Sequence, residues 1–159
     1  MSEEAGWVLT AIGGTKPDDG ERSSLANVLG SADYFNRAAI SKDELEHGVR
    51  DLVTAGLISV EGNTFALTDR GREMWDGVWR AYQTRPRKDY VIRIAEQRLK
   101  SIGCSGQLAG WSLTPQEFDT AFDLYRTTLI NDLRRIEPKV ADLMEQDEQR
   151  RRRKSLGTP

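Results

Sequence analysis

The run Ile40–Gly71 constrains this chain more than any other. It holds, in order, a capped amphipathic helix, a glycine stop, two short strands around a tight turn and the start of another helix. Ser41 followed by Glu44 is a capping box, in which hydroxyl and carboxylate each satisfy a backbone N–H left open at the helix start. Ile40 before the cap and Leu45 after it are placed to form a hydrophobic staple. Leu45, Val49, Leu52 and Val53 then share one helical face, and Gly56 supplies the left-handed residue that ends the helix without a Cβ penalty. Leu57-Ile58-Ser59-Val60, the turn Glu61-Gly62-Asn63 and Thr64-Phe65-Ala66-Leu67 read as a compact hairpin with apolar residues at strand-like positions. Such an order fixes a fold more firmly than it fixes a function.

A chain of 159 residues can bury one proper core, or one small domain plus a helical extension, which excludes a large multidomain enzyme. With 38% hydrophobic and 30% charged residues the composition is that of a globular chain, not a disordered one. No run approaches the roughly 20 apolar residues of a membrane span. Met1-Ser2-Glu3-Glu4 lacks the basic and apolar regions of a signal peptide, so a cytoplasmic location without membrane contact is expected. The single Cys104 agrees, since a disulfide within one chain needs a pair. Charge is unevenly spread. Residues 1–80 carry 8 basic and 14 acidic side chains, whereas residues 81–159 carry 15 and 11. The first half is therefore acidic, which works against phosphate contact, because non-specific nucleic-acid affinity comes mostly from Lys and Arg displacing counterions.

Along the chain, Trp7, Val8 and Ile12 form a short apolar stripe on a helix from about Glu4 to Ile12, ended by Gly13-Gly14. Thr15 to Arg22 carries turn chemistry. Ser23 or Ser24 caps a second helix with Leu25, Val28, Leu29 and Ala32 inward, extended by Tyr34 and Phe35. Asn36-Arg37-Ala38-Ala39 is a short link into the capped helix, as a helix-turn-helix requires. After the hairpin, Thr68 or Asp69 caps a helix containing Met74, Trp75, Val78 and Trp79. Gln83 to Lys88, with Pro86, reads as a linker and domain boundary. Val91, Ala95, Arg98 or Leu99, and Ile102 have helical spacing, although Tyr90 to Ile94 alone fits a strand equally well. Gly103 to Gly110 is a glycine-rich loop. Thr114-Pro115-Gln116-Glu117 is a second capping box with Leu113 and Phe118 as its staple. Its helix carries Phe118, Ala121, Phe122, Tyr125, Leu129 and Leu133 on one side. Pro138 interrupts or restarts it, and Val140, Leu143 and Met144 add a last narrow stripe. Residues 149–159 are expected to be a disordered basic tail.

The span from about Trp7 to Trp79 resembles the winged helix-turn-helix domains of bacterial regulators of the MarR and PadR kinds. Ala55-Gly56-Leu57-Ile58 at the end of the third helix and Leu67-Thr68-Asp69-Arg70-Gly71 after the hairpin carry the likeness, which covers roughly half of the chain. The resemblance implies a third helix entering the major groove, a hairpin wing on the flanking backbone and added helices forming a dimer. Here the wing is short and its tip holds Glu61, Gly62 and Asn63 without Lys or Arg. This departure removes the usual cation of a wing-phosphate contact.

With its apolar face inward, the third helix displays Lys42, Asp43, Glu46, His47, Arg50 and Asp51. In a DNA-binding reading Lys42 and Arg50 meet phosphates or guanine edges with His47 between them, and Arg37 lies in the connection just before. In the plainer reading the face is solvated and internally paired, Lys42 with Glu46 and Glu46 with Arg50. The run Arg150-Arg151-Arg152-Arg153-Lys154 is either a backbone-tracking arm or a solvated tail, or a patch against the acidic half of a second subunit. His47 and Cys104 are the only residues of their types, so one chain cannot assemble a His/Cys metal cluster, and no third group orients a Cys–His pair for nucleophilic catalysis. Cys104 reads as an inert cysteine or a redox-sensitive thiol. Trp7, Trp75, Trp79 and Trp111 either line a ligand pocket or staple helix layers together.

The sequence thus predicts a mainly α protein without enzymatic activity or cofactor: a winged helix over residues 1–83 with a short hairpin wing, a helical extension over 84–148 and the tail over 149–159. The expected function is DNA-binding transcriptional regulation as a homodimer on double-stranded DNA. The alternative is a protein-interaction module of the same fold, whose acidic third-helix face takes a basic partner.

Overall fold

No charged side chain interrupts Ala5–Ile12, and a helix that is apolar all round belongs inside a protein. The computed structural model describes residues 1–15, 21–36, 38–84, 90–102 and 111–155, with backbone alone for Tyr90, Arg152, Lys154 and Ser155. In it, α1 (Glu3–Gly14) is buried at every position from Ala5 to Ile12. The sequence suggested one stripe. The structure instead makes α1 the axis against which α2 (Leu25–Asn36), α3 (Lys42–Thr54), α4 (Asp69–Gln83) and α5 (Tyr90–Leu99) pack. Trp7 adds a polar tie, donating its indole N–H to the Ala32 carbonyl at 3.0 Å.

The sheet is small and antiparallel. Strands β2 (Ile58–Glu61) and β3 (Thr64–Leu67) form the expected hairpin, with Ile58 opposite Leu67 and Glu61 opposite Thr64, and Gly62 at φ +55° makes its turn. A third strand, β1 (Ser23–Ser24), pairs with the other edge of β3, placing Ser23 opposite Phe65 and giving the order β1-β3-β2. Ser23 and Ser24 had read as alternative helix caps, and Ser24 also serves as one: its hydroxyl accepts the Asn27 N–H. Two residues suffice for a strand only because β3 presents a free edge, a non-local fact.

Helix α3 forms as its sequence requires. The Ser41–Glu44 capping box is complete, Gly56 adopts φ +68°, and Leu45, Val49 and Leu52 are fully buried while Val53 is only half-buried. Thr68, rather than Asp69, caps α4 by accepting the Gly71 N–H. Residues 90–94 are helical, and α5 buries Val91, Ile94, Ala95 and Leu99. That burial against α1 and α4 makes α5 part of the first body. By its contacts the chain divides at Ala121/Phe122, within α6 (Pro115–Ile136), and α4 and α5 fall in one unit; most of the expected linker, residues 85–88, lies outside the described residues.

The second unit, Phe122–Pro159, holds the rest of α6 and α7 (Pro138–Ser155). Arg126 meets Glu148 and Arg134 meets Glu145, so the helices run back on each other. Helix α7 continues to Ser155, and the segment expected to be a disordered tail is helical over residues 149–155. Arg and Lys are good helix formers and suit the negative end of the helix dipole, while Asp147 pairs with Arg151 one turn on at 2.9 Å. Cys104 and most of the Thr15–Arg22 loop lie outside the described residues. Seven helices and three strands make the described chain mainly helical, and none of those helices is long and apolar enough to cross a membrane.

Candidate nucleic-acid interface

Burial of Leu45, Val49 and Leu52 against α1 turns positions 42, 43, 46, 47 and 50 outward on α3. His47 and Arg50 are exposed, and Lys42 is partly covered. Lys42 donates to Glu46 at 2.9 Å and lies 3.7 Å from Asp43. The hydrogen bond to Glu46 holds the ammonium above its ordinary range. Arg50 makes no ion pair among the described residues, so the expected Glu46–Arg50 bridge is absent and Arg50 acts on Glu46 through charge alone. Asp51, expected to be displayed, accepts the Ser2 N–H instead.

Glu46 is the unexpected member. Its side chain is only 12% exposed, because Leu113 lies over it and donates its backbone N–H to the carboxylate at 2.7 Å. Burial pushes the carboxyl up. The Leu113 N–H, the Lys42 hydrogen bond and the charges of Lys42 and Arg50 outweigh that, leaving it below the usual carboxylate range. A depressed folded-state value stabilises the fold above the unfolded value of 4.5 and loses that contribution as pH falls through the lower folded one. Glu46→Gln is therefore expected to lower the urea midpoint at neutral pH, with the deficit shrinking below about pH 4. Midpoints of both proteins from about pH 7 to pH 3 check this; a deficit that stays constant with pH would show that charge plays no part.

The hairpin tip is engaged as well. Trp111 donates its indole N–H to the Gly62 carbonyl at 3.1 Å and sets its ring edge-on to Phe65, with centroids 5.7 Å apart. Asn63 donates to Glu117 at 3.2 Å. Glu117 also receives the Thr114 backbone N–H at 2.8 Å, completing the second capping box, and these bonds hold its carboxyl below the ordinary range. Arg22 reaches the hairpin, where its guanidinium donates to Ser59, Thr64 and Glu61 across β2 and β3. All its nitrogens bond within the sheet, so it acts as a clamp on the hairpin.

The structure thus brings Lys42, His47 and Arg50 together on α3. Arg37 lies outside the described residues. Arg150, Arg151 and Arg153 sit exposed on α7, in the other unit, while the side chains of Arg152 and Lys154 are not described. The tryptophans have separate partners: Trp7 on α2, Trp75 beside Gly13 and Trp79, Trp111 on the hairpin. Among the described residues no three His, Cys, Asp or Glu side chains are grouped to hold a metal ion. Sequence reasoning missed Arg22, and it named Trp111 and Leu113 without the partners they take on the hairpin and on α3. Nothing local signals them, since each acts on a partner 37 to 67 positions away. Comparison with family models, with curated proteins and with solved structures finds no match to this chain.

Proposed function

We propose that this chain is a winged helix that binds double-stranded DNA as a homodimer and regulates transcription, with α3 in the major groove and β2–β3 as the wing. One observation carries the reading: five residues separate α2 from α3, α3 leads directly into an antiparallel hairpin, and its outward face presents His47 and Arg50 to solvent with Lys42 at the start of the helix. A second copy supplies the dimer. The helical hairpin exposes Leu124, Ile136, Val140 and Leu143 while burying only Ile130 and Ala141 among its described residues, and an identical hairpin would cover those apolar side chains in a two-fold contact. Fluorescence anisotropy with a labelled random-sequence duplex tests the reading. Affinity should fall steeply with salt, and Arg50→Ala and Lys42→Ala should each weaken it and lower the salt slope by about one. Binding that ignores both substitutions would take α3 out of the interface.

A second reading, a protein-interaction module on the same surface, is favoured by the charge of the first half and by the wing, where Glu61 stands at the tip and Arg22 is fully engaged. In it the acidic face of α3, where Asp43 is exposed, takes a basic partner, and a basic peptide would bind where DNA does not.

A further inference from the structure

Lys42, Glu46 and Arg50 are spaced four residues apart and so form one stripe along α3. The segment Trp111–Glu117 lies on the middle of that stripe and then on the hairpin tip, both within the first unit. Three hydrogen bonds hold it: Leu113 N–H to the Glu46 carboxylate, the Trp111 indole N–H to the Gly62 carbonyl, and the Asn63 amide to the Glu117 carboxylate. Leu113 is 3% exposed, so the contact is packed as well as hydrogen-bonded. A duplex laid along α3 with its backbone at the tip would need the space that Leu113 and Trp111 fill. It would also meet Glu117 and Asp119, whose charges repel phosphate.

We propose that residues 111–117 are an autoinhibitory strap, which in the closed form covers the α3–hairpin surface and must lift before that surface meets DNA. The inference rests on the DNA-binding reading above and adds its regulation. Lifting the strap releases those three hydrogen bonds and the Trp111–Phe65 ring contact, and every polar group it frees returns to water. Apparent affinity is then the intrinsic affinity scaled by the open fraction. A partner that takes up the Trp111–Leu113 segment would raise that fraction.

The test compares the wild-type chain with the variant Trp111→Ala/Leu113→Asp, using the same labelled random-sequence duplex. The variant should bind at least about tenfold more tightly, and adding Arg50→Ala to it should remove the gain. As the double variant can disturb packing, hydrogen exchange on the wild type gives a second readout: saturating duplex should speed exchange at the Leu113 amide while slowing it along α3. Equal affinity of wild type and variant, or a Leu113 amide that stays protected in the complex, overturns the strap and leaves the DNA-binding reading standing. Binding by neither protein at low salt overturns both.

Discussion

Phe65→Ala is expected to lower the unfolding free energy by about 3–5 kcal/mol, a large share of the roughly 5–15 kcal/mol that holds a domain together. Phe65 is wholly buried on β3, the central strand, paired with Ser23 on one side and Val60 on the other. Truncation removes the transfer free energy of the ring and leaves a void. Collapse into that void would normally recover part of the loss, but here the backbone on both sides is pinned by ladder hydrogen bonds, and the Arg22 clamp ties β2 to β3 as well. The cost therefore falls toward the upper part of the range. Trp111 loses its edge-on partner at the same time, so the strap should loosen together with the core. Urea unfolding read by far-UV dichroism checks the magnitude; a drop of under about 1 kcal/mol would mean the hairpin closes over the gap more readily than its hydrogen bonding implies.

The parts of this fold that were legible in the sequence are those decided within one or two turns of chain. Ser41 and Glu44 make their own cap, Thr114 and Glu117 repeat it, and Gly62 needs only its neighbours to turn the hairpin. What the sequence did not disclose depends on residues far away along the chain. Ser23-Ser24 becomes a strand because Phe65 and Thr64 lie beside it. Ala5–Ile12 is buried all round because four other helices need a common axis, and a stripe of three large residues understates that. The same division holds at the candidate site. Periodicity sets which side of α3 faces out, and the structure keeps Lys42, His47 and Arg50 there. The fate of Glu46 was illegible because its partner Leu113 follows α5 and a glycine-rich stretch. Composition says little in one place: Pro86 among Arg85, Arg87 and Lys88 looks like a linker between domains, and α5 beyond it is packed into the first core.

Gly71→Ala reverses the usual sign of a glycine-to-alanine change in a helix. Inside α4 the substitution should gain about 1 kcal/mol of helix propensity. Space decides against it, because a Cβ at position 71 would lie 1.9 Å from the Leu57 carbonyl oxygen and 2.9 Å from its carbon. That oxygen belongs to the backbone and cannot rotate away. It also accepts the Thr68 N–H at 3.0 Å, so moving it breaks the joint between the α3–β2 corner and the start of α4. If the helix moves instead, Thr68 loses its cap on the Gly71 N–H, a change worth about 1 kcal/mol by itself. Overpacking of this kind costs about 1–3 kcal/mol and occasionally more, and the lost cap outweighs the propensity gain. A net loss of about 2 kcal/mol is expected, with the m-value unchanged. The strap and the hairpin tip lie apart from this joint, so Gly71→Ala should leave duplex affinity unaltered under conditions where the variant is folded. A midpoint equal to or above that of the wild type would show that α4 can slide along Leu57 without penalty.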